Sequence, residues 1–313
     1  TCLAFSSLTA VETDPVGYTT TIFKGDRDTT FSPGLTTTSE FTGPISSIPN
    51  TSSVTLSGLN LDENELADTH FVLVRSGALK GAFAKIASNT VDTLTLEFVS
   101  EDFFLGDVEG VKVGDIAEIY PFWTLGKLFP EGTPDGARVL LFDRSSAGVN
   151  LSASSSFTFF EGFGWFSGST PGNDEIIFPD ESIIFRNTTG VDYAHVHAGS
   201  VRTSKMRVRL EVLDGSRNQD LRIPTFNVAG KTIAQIFNNE DFSDNDRILI
   251  FDNDSPGINK ASAVSATFFE GFGWFSGSTD LNDFILPENA GIVLRKSKDG
   301  SSLSIATINP EIN

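Results

Sequence analysis

Apolar and polar residues alternate with a period of two in short runs along most of the chain. In "TLTLEF" (93–98) Leu94, Leu96 and Phe98 fall on one face and Thr93, Thr95 and Glu97 on the other. That is the signature of a half-buried strand. The runs "YTTTIF" (18–23), "SVTLSG" (53–58), "FVLVRS" (71–76), "AFAKIA" (82–87) and "DIAEIY" (115–120) read the same way, separated by clusters of Gly, Asn, Asp and Ser that turn the chain. Strands at such close spacing, with no helical period between them, predict a small antiparallel barrel or sandwich over residues 11–121.

Beyond residue 121 the pattern repeats. A shift of 109 residues lays "RVLLFDRSSAGVN" (138–150) on "RILIFDNDSPGIN" (247–259) and "NDEIIFPDESIIFR" (173–186) on "NDFILPENAGIVLR" (282–295). Between these, "TFFEGFGWFSGST" occurs at 158–170 and again, unchanged, at 267–279. Its glycines suit a tight turn, so the stretch predicts an aromatic hairpin with rings on both faces. Upstream, "TLGKLF" (124–129) and "TIAQIF" (232–237) each predict one short helical turn. The expected fold is therefore all-β, a small barrel or sandwich followed by two duplicated β-units. The expected boundaries are 122–190 for the first repeat, 191–230 for linking strands, 231–300 for the second repeat and 301–313 for a tail.

Composition narrows the function. The chain of 313 residues has 28 Phe against 3 Tyr and 3 Trp, so rings are its main packing material. With 22 Lys and Arg against 41 Asp and Glu, the net charge is −19, which repels phosphate backbones and argues against nucleic acid as a partner. A single Cys excludes an internal disulfide. No run approaches the roughly twenty apolar residues of a membrane-spanning helix. Residues 1–10, "TCLAFSSLTA", read as the tail of a secretory signal or as a donor strand, with Leu3 and Phe5 on one face and Leu8 on the other.

The strings "DNDSPGINKASAVSATFFEGFGWF", "FVLVRSGALKGAFAKIASNTVDTLTLEF" and "TDPVGYTTTIF" resemble a verrucomicrobial paralogous family of secreted, β-rich proteins with duplicated C-terminal units. The resemblance spans most of residues 11–296. It implies export and a β-rich fold, and brings no catalytic residue or cofactor with it.

Candidate chemistry is sparse. His195 and His197, two apart on a strand, share one face and present either a metal-binding pair or two exposed imidazoles. The acids of "NEDFSDNDR" and "DNDSPG", Asp241, Asp244, Asp246, Asp252 and Asp254, are weak candidates for a structural Ca2+, against ordinary Asx-turn capping. Glu161 and Glu270 lie beside aromatics, but at turn tips where catalysis is disfavoured. No cofactor and no enzymatic activity are expected. The leading expectation is a secreted structural subunit that assembles with itself into a filament or surface layer, using Phe160, Trp165, Phe166, Phe269, Trp274 and Phe275 together with Leu3, Phe5 and Leu8. The alternative is an extracellular module that binds glycans on the Trp and Phe rings of the hairpins.

Overall fold

The structure, a computed structural model, describes residues 15–97, 110–202, 204–226 and 230–308. It is all-β. The chain opens with β1 (Val16–Phe23), β2 (Arg27–Phe31) and β3 (Leu35–Thr36). It then forms a closed six-stranded barrel from β4 (Phe41–Asn50), β5 (Ser53–Leu56), β6 (His70–Val74), β7 (Phe83–Asn89), β8 (Thr93–Glu97) and β9 (Ile116–Pro121), in the order β4-β5-β8-β7-β6-β9. Alternate residues of these strands, among them Val54, Val72, Val74, Ile86, Leu94, Leu96 and Ile119, fill the barrel interior.

After the barrel come β10 (Trp123–Thr124), α1 (Leu125–Leu128), β11 (Arg138–Leu141), β12 (Ser155–Phe160), β13 (Gly164–Ser167), β14 (Thr170–Pro171), β15 (Ile176–Ile177), β16 (Ile183–Asn187) and β17 (Tyr193–Val201). Five of them extend a six-stranded sheet, β14-β13-β12-β11-β16-β2, whose last member comes from before the barrel. Likewise β17 pairs with β1 along its whole length and with β3. The barrel is thus inserted into the first repeat, between β3 and β10. The boundaries drawn from the sequence shift accordingly: residues 16–36 belong with the first repeat, not with the barrel. The cause is ring packing, since Phe23 and Phe31 are fully buried beside Phe129 and Phe185 of that repeat.

The second repeat has the same plan without an insertion. Its strands are β18 (Met206–Glu211), β19 (Gln219–Pro224), β20 (Arg247–Ile250), β21 (Val264–Phe269), β22 (Gly273–Ser276), β23 (Thr279–Asp280), β24 (Gly291–Lys296) and β25 (Leu303–Ile308), with α2 (Ile233–Ile236) after β19. They form the sheet β19-β24-β20-β21-β22-β23 and the pair β18-β25. The segment expected to link the repeats instead closes the first with β17 and opens the second with β18 and β19. Likewise, part of the expected tail is β25. Thr124 and Thr232 cap the two short helices, the latter in a full capping box with Gln235.

The identical stretch is a hairpin in both copies, with Phe159 opposite Trp165 and Phe268 opposite Trp274. Gly164 and Gly273 sit at φ of 89° and 94°. A Cβ there would also run into the side chain of Asn173 or Asn282, whose oxygen accepts the Trp165 or Trp274 backbone N–H at 2.9 and 3.1 Å. Both the backbone conformation and this Asn therefore demand glycine.

The repeats differ in charge at one buried pair of positions. In the second, Asp246 and Lys296 form an ion pair of 2.7 Å with both side chains wholly buried, and Asp246 also accepts the N–H groups of Ser243 and Ser297. The first has Ala137 and Asn187 at these places. There Asn187 bonds the carbonyls of Phe23 and Val191 instead. Removing one member of a buried pair strands the other charge. Lys296→Asn alone is expected to cost about 3 kcal/mol in chemical denaturation, whereas Asp246→Ala with Lys296→Asn, which copies the first repeat, recovers most of that loss. A double variant as unstable as the single one would show that the pair is needed for more than charge balance.

Candidate functional site

The two repeats meet through a reciprocal clamp. Arg186 on β16 donates to both carboxylate oxygens of Asp28 on β2, at 2.7 and 2.9 Å, and to the Asn259 side chain of the other repeat at 2.9 Å. The Asn259 N–H returns to Asp28 at 2.7 Å. On the other side Arg295 donates to Asp220 at 2.7 and 2.9 Å and to Asn150 at 3.0 Å, and the Asn150 N–H bonds Asp220 at 2.7 Å. Gly257 and Gly148 complete the pattern by accepting the backbone N–H groups of Asp28 and Asp220. Each residue from the two repeats stands 109 positions from its counterpart, and Asp28 corresponds to Asp220 by strand register, so the chain is a covalent pseudo-dimer. The paired carboxylates raise the pKa of Arg186 and of Arg295.

Between the repeats lies a cavity of about 830 Å³, within the usual range of small-molecule sites. Its walls are the faces of the two six-stranded sheets turned away from their own cores: Leu140 and Ile184 from one, Leu249 and Val293 from the other. The site was not foreseen from sequence, because its polar residues come from six strands and three loops. Arg222, on β19, lines it with its guanidinium 3.9 Å from the Phe142 ring centre and 5.7 Å from that of Phe251, the counterpart of Phe142. Burial lowers the Arg222 pKa to about 10, against the attraction of Asp220 and Asp28. Glu181, on the same cavity lining, is pushed up to about 8 by burial and by neighbouring Asp180, with Arg144 acting in the opposite sense. Arg144 is ion-paired to Asp180.

The residues singled out from sequence take other places. Trp165 and Trp274 are wholly buried in the cores of their own repeats, which excludes them as sugar platforms. Phe160 and Phe269 lie outward at 44% and 41% exposure, each edge-on to the half-buried Phe166 or Phe275, and the turn residues Phe163 and Phe272 are exposed at 75%. The hairpins therefore do not pack against each other. Leu3, Phe5 and Leu8 lie outside the described residues. The five acids serve separate local roles. Asp241 accepts Thr307 N–H, Asp244 caps the Glu270 N–H, Asp246 holds Lys296, Asp252 accepts Asp254 N–H, and the Asp254 backbone carbonyl accepts Arg27. Among the described residues no group of three His, Cys, Asp or Glu could hold a metal ion.

His195 and His197 do share a face, but it is the inner one. They stack at 5.5 Å and lie 1% and 5% exposed among the rings of Phe23, Phe31, Phe129 and Tyr193. The polarity of β17 is thereby inverted, with histidines inside and Ala194, Val196 and Ala198 outside. On its partner β1 the residues registered opposite and beside them, Val16, Tyr18, Thr20 and Ile22, are also exposed. The outer face of this sheet carries no charge. In the second repeat the corresponding side of β18 bears Arg207, Arg209 and Glu211.

Comparison with family models, with curated proteins and with solved structures finds no match. No helix of the described chain is long and apolar enough to cross a membrane.

Proposed function

We propose that the protein is a structural subunit that assembles with further copies of itself through the uncharged outer face of β1 and β17. The placement outside the cell rests on the signal-like composition of residues 1–10. One observation carries the reading: on a chain of net charge −19, seven neighbouring outward side chains of this sheet are all uncharged, with Val16 73%, Tyr18 76% and Val196 60% exposed. Contiguous apolar surface of this kind marks a contact site. A second copy is the occupant that the charge favours, because two such acidic chains repel each other except where charge is absent. The fold supports it too, since its sheets already dock one repeat on another within the chain.

Size-exclusion chromatography with light scattering, followed by negative-stain microscopy, tests the assembly. The wild-type chain is expected to form oligomers or polymers at high concentration. Tyr18→Glu with Val196→Glu, both at exposed positions where the fold tolerates a charge, is expected to give folded monomers. A wild-type chain that stays monomeric, or a double variant that assembles normally, would end the proposal.

A further inference from the structure

The cavity between the repeats has no part in that assembly, and its wall contains an unusual cation. Arg186 and Arg295 are neutralised by Asp28 and Asp220, and Arg144 by Asp180. Lys260 spends its ammonium on the carbonyls of Asp252 and Ser255. Arg222 has no ion pair, and its Nη1 is buried with no hydrogen-bond partner among the described residues. A guanidinium withdrawn from water with unmet donors is costly unless an acceptor reaches it. Beside it the Ser182 hydroxyl is buried and equally unpartnered, and the backbones of the two residues are bonded across the repeats. Glu181 is a poor source of the missing charge, because burial pushes its pKa up to about 8.

We infer that this cavity binds a small amphiphilic carboxylate, its head on Arg222 and its apolar body between Leu140, Ile184, Leu249 and Val293. A guanidinium with an unmet Nη1 suits an oxygen of a carboxylate, the anion for which its planar, charged donors are shaped. The body of the ligand follows from the aliphatic residues that both sheets turn inward. Its orientation follows from register: Val293 pairs with Arg222, whereas the equivalent Ile184 pairs with Thr30. At this pair of equivalent positions the near-symmetric cavity therefore has a guanidinium on one side and a neutral hydroxyl on the other.

Isothermal titration calorimetry on the full chain tests this with 3-phenylpropionate, its uncharged amide and inorganic phosphate as probes. The acid is expected to bind at least tenfold more tightly than the amide, the effect of a charge-assisted hydrogen bond in a dry site. Arg222→Gln should abolish the preference for the acid while keeping a cooperative thermal melt. Arg222→Lys, which keeps the charge and loses the fork, should show intermediate affinity and serves as the second variant if the first does not fold. Equal affinity for acid and amide, no binding of the acid at all, or an acid preference that survives in both variants would overturn the inference. Phosphate binding as tight as that of the acid would also overturn it, by showing a general anion site.

Discussion

Lowering the pH from 7 to 5 is expected to destabilise the folded chain by about 4 kcal/mol through His195 and His197 alone. Burial lowers both pKa values to about 4, and for His195 the neighbouring His197 adds to the effect. In the unfolded chain both return to about 6.5. Between pH 6.5 and 4 the unfolded chain therefore binds protons that the folded chain refuses, and stability falls as the pH falls. At pH 5 the solution is about 1.5 units below the unfolded pKa and still above the folded one, which is about 2 kcal/mol per histidine. Glu181 acts in the opposite direction, since its raised pKa favours the folded state more as the pH drops from 8 towards 4.5. A comparison of wild type with His195→Gln and His197→Gln combined cancels that term. Urea denaturation at pH 7 and pH 5 should show an acid loss in the wild type that the double variant largely lacks. The same loss in both would mean that the histidines titrate as they do in water.

The second large effect lies in the hairpins. Trp165→Ala and Trp274→Ala should each cost about 3–5 kcal/mol, because each ring is wholly buried and lies close to two phenylalanine rings. Replacement by Phe separates the two sites. The Trp165 Nε1 donates to the Phe129 carbonyl at 2.9 Å, whereas the Trp274 Nε1 is buried with no partner among the described residues. Trp165→Phe should therefore be costlier than Trp274→Phe by about 1–2 kcal/mol, since only the first leaves an acceptor stranded. Equal costs for the two Phe variants, read from thermal or denaturant melts, would refute this account. Near-native melts for the Ala variants would refute the burial itself.

Much of the architecture was legible in the sequence. Period-two alternation gave the all-β class, the 109-residue shift gave the duplication, and Gly164 and Gly273 marked the hairpin turns. The membership of β1 to β3 was not legible, because the inserted barrel separates Phe31 from its partner Ile183 by some 150 residues. The only sequence trace is Asp28 in "RDTTF" against Asp220 in "QDLRIP", too little to align. The buried histidines were misread for a different reason. Alternation in "YAHVHAG" shows which residues share a face, but the side that is covered is decided by the phenylalanines of other strands. The dense acids looked like ion ligands in sequence, yet Asp244 and Asp252 cap nearby backbone N–H groups and Asp246 faces a lysine fifty residues away. The cavity escaped because Arg222 is the lone basic residue of β19, and only the docking of the repeats surrounds it.

The clamp between the repeats is made of two arginines, two aspartates and two asparagines, a polar contact that two free molecules would hold only weakly. Joined by one chain, the partners face each other at an effective concentration on the order of millimolar, so dilution does not part them. The tether also releases the two halves from obeying the same rule. In a dimer of identical chains an arginine at the position of Arg222 would be matched by a second one at the position of Thr30, on the other side of the same cavity. A tandem can place the cation once, and so give a near-symmetric space a direction.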